Sequence, residues 1–229
     1  MKRIVTIFLM FVSVFCAFAQ ESEPNDWANT KRYEEANNKL TKSPVVVFIG
    51  NSITDSWYRM DQEFFDSNNF AGRGISGQVT AQMLVRFRSD VINLKPKAVF
   101  ILAGINDIAR NQGYISVEHT FQNLVSMVEL AKAHKIKVVL CTLLAADRIP
   151  WRSEVKPIPM IAQLNAKIKN YAAENKIEVA DMFAISVDEN QAMKANYRKN
   201  NDAVHPGMDG YKAMEEEALR ALKAIKVIK

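Results

Sequence analysis

Apolar runs about five residues long, each ending in glycine or a small polar residue, alternate along this chain with longer stretches of helical spacing. Pro44 opens the first run, Val45 to Ile49, which passes directly into Gly50-Asn51-Ser52. A β-branched run bounded by proline and glycine predicts a buried strand of a parallel sheet. A helix is predicted to follow at once, over Ile53 to Tyr58. The second run is short, near Asn69 to Ala71, and leads into the glycine-rich Gly72-Arg-Gly-Ile-Ser-Gly77. Ala98 to Ala103 forms the third and ends in Gly104-Ile-Asn-Asp107. Val138 to Leu143 is the fourth, followed by a loop from Ala145 to Pro157, and Ile177 to Ala180 is a short fifth ending at Asp181.

Between these runs the spacing is helical. Trp27 to Leu40 places Tyr33, Ala36 and Leu40 on one face, and Val79 to Leu94 repeats Val79, Met83, Phe87 and Val91 before stopping at Pro96. In Val117 to His134, the residues Phe121, Leu124, Val125, Val128 and Ala131 recur at three and four, the mark of an amphipathic helix. Met160 to Asn175 predicts the next helix. An irregular polar segment, Ser186 to Val204, then leads to His205-Pro206 and a last helix ending near Ile225, with Pro206 in its first turn. Strands alternating with helices imply βαβ units, and hence an α/β fold whose parallel sheet of about five strands is covered on both faces. In such a doubly wound sheet the strand C-termini open on one edge, and ligands bind there.

The remaining composition changes the picture at the N-terminus. Lys2 and Arg3 precede a charge-free apolar run from Ile4 to Phe15, and Ala17-Phe18-Ala19 fits a small-x-small cleavage site, so residues 1–19 read as a secretory signal peptide. The run is short for a spanning helix, which needs roughly 20 residues, so no stable membrane insertion is expected after cleavage. A lipid anchor on Cys16 is the weaker alternative, because bulky Phe15 precedes it. Residues 20–229 then form a single domain of ordinary globular composition, 48% hydrophobic and 24% charged for the whole chain. Losing Lys2 and Arg3 reduces the net charge from +5 to +3, with no basic block, which argues against a nucleic-acid partner. Cys141 alone survives cleavage, so no internal disulfide is expected despite export, and its apolar run predicts a small core residue.

The polar residues at the predicted strand ends suggest a reaction. Ser52 stands at the end of the first strand and the start of a helix, where the dipole favours developing negative charge. A plain helix N-cap would also be a serine here. Acyl transfer by serine needs a base, a group to orient that base, and donors for the oxyanion. His205 is the one histidine among these turns, since His119 and His134 fall in or beside a helix. Asp202, three residues earlier, has the spacing to reach its Nδ1 and leave Nε2 for Ser52. Asn106 offers a side-chain amide, Gly77 an unobstructed N–H, and Ser52 its own N–H.

These residues fall in blocks that resemble the SGNH, or GDSL-type, hydrolase family. The blocks are Phe48-Ile-Gly-Asn-Ser-Ile-Thr-Asp55, Gly74-Ile-Ser-Gly-Gln-Val-Thr80, Gly104 to Asp107, and Asp202 to His205, in the family's order. The resemblance spans positions 45 to 211 and implies a flavodoxin-like three-layer α/β/α sandwich. It implies Ser52 as nucleophile, His205 as base, Asp202 as its partner, and Ser52, Gly77 and Asn106 as oxyanion donors. The chain departs from the family in carrying Asn51 where block one has Asp; Asn still accepts hydrogen bonds from the turn. Asp107 reads as a helix cap ahead of an orienter of the Asn106 turn.

Other readings are weaker. Gly72-Arg-Gly-Ile-Ser-Gly77 spells a dinucleotide fingerprint, but it follows the second strand, and Asp90, the acidic residue nearest the required spacing, falls in mid-helix. No paired histidine spacing or cysteine cluster suggests a metal, and no cofactor is expected. A secreted ligand-binding module without catalysis would not need the whole Ser52, Asn106, Asp202 and His205 set. By resemblance, a secreted single-domain member is similar to carbohydrate O-acetyl esterases, so a glycan or small-molecule ester is the expected partner. A lysophospholipase, lipase or thioesterase of the same family is the alternative. Two loops are predicted to shape the pocket: Ala145 to Pro157, with Arg148, Trp151 and Arg152, and Ala184 to Val204, with Tyr197 and Arg198. Within them Trp151 and Arg148 are the candidate substrate contacts.

Overall fold

A computed structural model of the protein describes residues 26–229, so the predicted signal peptide lies outside the described residues. Five strands, β1 (Val46–Gly50), β2 (Phe70–Gly74), β3 (Ala98–Leu102), β4 (Lys137–Cys141) and β5 (Glu178–Ala180), form one parallel sheet in the order β2-β1-β3-β4-β5. This is the flavodoxin-like order, with its switch point between β1 and β3. Every residue of β1, β2 and β3 is buried, as strands covered on both faces require.

In chain order the helices are α1 (Glu34–Asn38), α2 (Ser52–Met60), α3 (Gln62–Ser67), α4 (Thr80–Asp90), α5 (Ile105–Ile108), α6 (Val117–Ala133), α7 (Pro157–Asn175), α8 (Met182–Ser186) and α9 (Met208–Ala224). Right-handed crossovers place the α2 connection, from β1 outward to β2, on one face of the sheet. The return over β1 to β3 carries α4 to the other face, where it packs on α6 and α6 on α7. The last helix, α9, joins α2: Tyr211 stacks on Trp57 at 5.9 Å and its hydroxyl donates to the Ile53 carbonyl.

Several elements differ from the sequence reading. The predicted helix over Trp27 to Leu40 is helical only in α1, which buries nothing; Leu40 is exposed and Asn29 is left-handed. The segment is instead a polar strap, tied down by Tyr33 Oη donating to the Gly74 carbonyl and by Asn37 Nδ2 donating to Asp90. β2 runs on through the first glycines of the Gly72–Gly77 stretch. They serve close packing: a Cβ on Gly74 would lie 2.1 Å from the Asp55 nitrogen, against the first turn of α2. α7 begins at Pro157, three residues before the predicted start. Pro206 is not in the last helix, because it pairs with Arg198 in a bridge and α9 starts after Gly207. The polar segment before it begins at the last residue of α8 and contains a 3-10 turn at Ala195–Tyr197. Cys141 is buried in the core, and burial pushes its thiol well above the usual range.

Candidate active site

The sheet's switch point brings the sequence-distant polar residues together. Asn51, not Ser52, caps α2: its Oδ1 accepts from the Ile53 N–H at 3.0 Å. That releases the Ser52 hydroxyl, which lies 2.8 Å from His205 Nε2 although 153 residues separate them. The Asn in place of the family's Asp therefore performs the turn's capping task.

The Asp202-Ala-Val-His205 spacing works through a local turn. Asp202 Oδ1 accepts from the N–H groups of Val204 at 2.8 Å and His205 at 3.1 Å, while Oδ2 lies 2.8 Å from His205 Nδ1. Burial pushes the Asp202 carboxyl up, but those two N–H groups and the imidazole outweigh it and hold the group below the ordinary aspartate value. The segment is braced on both sides, with Lys199 N–H donating to the His205 carbonyl and Gly207 N–H to the Tyr197 carbonyl. Ser52, Ser76, Lys199, Asn200, Asp202 and His205 line one open cleft.

Three further groups stand at neighbouring strand ends. Gly77 has φ +81°, in the left-handed region, and a Cβ there would meet nothing within 4 Å, so backbone conformation alone selects glycine. Asn106, buried at the start of α5, donates from Nδ2 to the Gln78 carbonyl at 3.0 Å, leaving its second amide hydrogen. Among the described residues that hydrogen, the Ser52 N–H and the Gly77 N–H have no acceptor. Asp107 caps a helix, though not its own. Its carboxylate accepts from the Thr80 N–H at 3.0 Å and the Thr80 hydroxyl at 2.5 Å, tying the β3 loop to α4. Burial raises its carboxyl to about 6 despite the Thr80 bonds.

The two candidate substrate contacts part company. The Trp151 indole lies 5.9 Å from the His205 ring, half-exposed, with its N–H given to Asn111 Oδ1 at 2.9 Å. Arg148 pairs with Asp147 at 2.8 Å and, among the described residues, makes no hydrogen bond or ion pair with Ser52, Asp202 or His205. The sequence reading passed over Gln78, Arg86 and Asn111. Arg86 was signalled: it shares a helical face with Met83 and precedes Asp90 by four, a charged pair on a core stripe. Gln78 and Asn111 act through loop geometry and left no signal in the pattern. Among the described residues no group of three or more His, Cys, Asp and Glu could hold a metal ion.

Comparison with known proteins gives a consistent picture. The profile of the GDSL-like Lipase/Acylhydrolase family matches residues 48–213. The crystal structure of a GDSL-like lipase from Bacteroides thetaiotaomicron superposes with a TM-score of 0.81 at 47% identity, over 86% of this chain and 98% of the other. A second, described as an acylhydrolase of Bacteroides fragilis, gives 0.83 at 47% identity, over 87% and 98%. A variant of an acetyl-xylooligosaccharide esterase from Geobacillus shares the fold, with a TM-score of 0.62 at 21% identity over 83% and 99%. An uncharacterized lipoprotein of Bacillus subtilis is 39% identical over 72 residues, so the matched part spans only 30% of that relative's length and 30% of this chain.

Proposed function

Because this chain belongs to the GDSL-like lipase/acylhydrolase family and is thereby an ester hydrolase, we propose that it acts through an acyl-serine intermediate and removes short acyl groups from carbohydrates. The observation that carries the mechanism is the unbroken relay from Ser52 Oγ through the His205 ring to Asp202. Ser52 attacks the ester carbonyl as His205 Nε2 takes its proton. The new C–O bond places a negative charge on the carbonyl oxygen, which the Ser52 N–H, the Gly77 N–H and the free hydrogen of Asn106 receive. Collapse breaks the bond to the alcohol, which leaves with the proton from His205. Water then attacks the acyl-serine, His205 again taking and returning a proton, and the acid departs. Asp202, held ionised, keeps Nδ1 protonated and stabilises the imidazolium.

Two features support the carbohydrate part of the reading. Trp151 presents an exposed indole face beside His205, with its polar edge already satisfied, and a flat apolar face suits a sugar ring. Trp27, also exposed, gives its N–H to Gln112, the residue after the Asn111 that holds Trp151. Export belongs to the same proposal, supported by the leader and the partial likeness to a lipoprotein. No described helix is long and apolar enough to cross a membrane.

The test is an acyl-chain and glycan panel on the mature protein. It should prefer p-nitrophenyl acetate to the octanoate and release acetate from acetylated glycans. Ser52→Ala should lower kcat by at least ~10⁴-fold. A strong preference for octanoate would replace the acetyl reading with the lipase or thioesterase one. Full activity in Ser52→Ala would end the acyl-serine mechanism.

A further inference from the structure

Behind the cleft lies a charge that acyl transfer leaves unused. Arg86, in the middle of α4, is wholly buried on the face it shares with Met83 and Phe87. A guanidinium there forfeits its hydration, and apolar residues of similar volume often serve a core as well or better. Packing alone therefore does not explain it.

Its three contacts do. Nη1 donates to Asp90 Oδ2 at 2.9 Å, Nη2 to the Gly50 carbonyl at 3.0 Å, and Nε to Gln78 Oε1 at 2.6 Å. Gly50 ends β1 two residues before Ser52. Gln78 follows Gly77 directly, and its carbonyl receives the Asn106 amide at 3.0 Å. One rigid fork thus links the turn bearing Ser52 to the turn bearing Gly77, and through Gln78 it reaches the third donor. The fork is fixed from behind: Asp90 Oδ1 accepts from Asn37, and Gln78 Nε2 donates to the Ala28 carbonyl at 2.6 Å. The planar guanidinium presents its donors in a set geometry that a lysine ammonium cannot copy.

We infer that Arg86 and Gln78 are positioning residues that set the spacing of the three oxyanion donors, an inference that rests on the acyl-serine reading above. Neither touches substrate; both act through the turns they join. Oxyanion donors work only within a narrow range of distance, so a small displacement weakens the transition state more than the bound substrate.

The experiment measures kcat and KM on p-nitrophenyl acetate for the mature protein, normalised to Ser52 sites titrated to end point with an organophosphonate. Gln78→Met, which loses both amide contacts, should lower kcat per titrated site by roughly 10- to 100-fold with KM near the parent value. Gln78→Glu, which keeps an acceptor for Arg86, should restore most of it. Arg86→Lys should show the same fall and carries the readout should Gln78→Met not fold. Parent kcat per site in Gln78→Met and Arg86→Lys, with only fewer titratable sites or a lower Tm, would overturn the inference and leave the acyl-serine reading standing. A parent protein that takes no label at Ser52 would instead overturn that reading, and the inference with it.

Discussion

The two oxygens of Asp202 do different work: Oδ1 closes a turn by accepting two backbone N–H groups, and Oδ2 holds the His205 ring. This division explains the three-residue spacing, since the carboxylate organises the loop that delivers its own partner. It also fixes the pH behaviour. Burial would raise the Asp202 carboxyl, but its hydrogen bonds hold it low, so it stays charged where an unperturbed aspartate would begin to take up a proton. Asp202→Asn, which removes that charge, should therefore lower kcat by roughly 10⁴-fold, and a parent kcat in that variant would show that the charge is not needed. By linkage, the stabilisation from Asp202 is present above the ordinary carboxylate range and fades only as pH falls through its lower folded value.

At the scale of elements, the site is held by ties between the start of one helix and the end of another strand. Asp107, after β3, caps α4 through Thr80, and Gln82 completes that cap by accepting from the Val79 N–H at 3.1 Å. Burial raises the Asp107 carboxyl to about 6, so between ~4 and ~6 the folded protein binds its proton more tightly than the unfolded chain does. Stability must then fall as pH rises through that window, by on the order of 3 kcal/mol from this group. Asp107→Asn, which removes the ionisation, should flatten that part of the profile in urea unfolding across pH 4 to 7. Parallel profiles for the two proteins would contradict the assignment. Sequence reasoning read Asp107 as a helix cap without saying which helix it caps, because a cap given across the sheet has no local spacing.

For the whole molecule, the decisive contact is between α2 and the last helix, α9. Trp57 of α2 is fully buried against Phe48, Phe64, Phe65 and Phe100, and stacks on Tyr211 of α9. Its N–H reaches Glu215 at 3.3 Å. This packing seats α9, and the His205 segment enters α9 directly. Trp57→Ala should cost about 3–5 kcal/mol, from lost burial and the cavity left behind. A drop in Tm on the order of 10 °C should follow in thermal unfolding. A change under 1 kcal/mol would mean that α9 is held elsewhere.

The sequence by itself determined the strand–helix alternation, the all-parallel sheet and the order of the polar turns, because burial on both faces writes continuous apolar runs and strand ends require glycine and small polar residues. It also marked Ser52, Gly77, Asn106, Asp202 and His205, since each stands where local chemistry needs that residue type. Only the tertiary structure decided that Asn51 is the cap that frees Ser52, that the Trp27–Leu40 stretch is a strap, that Pro206 lies outside α9, and that Trp151 rather than Arg148 meets the histidine. It alone disclosed the Arg86–Gln78 fork. Periodicity records which face of an element is apolar; the hydrogen bonds that join separate turns depend on how the sheet's order brings those turns together.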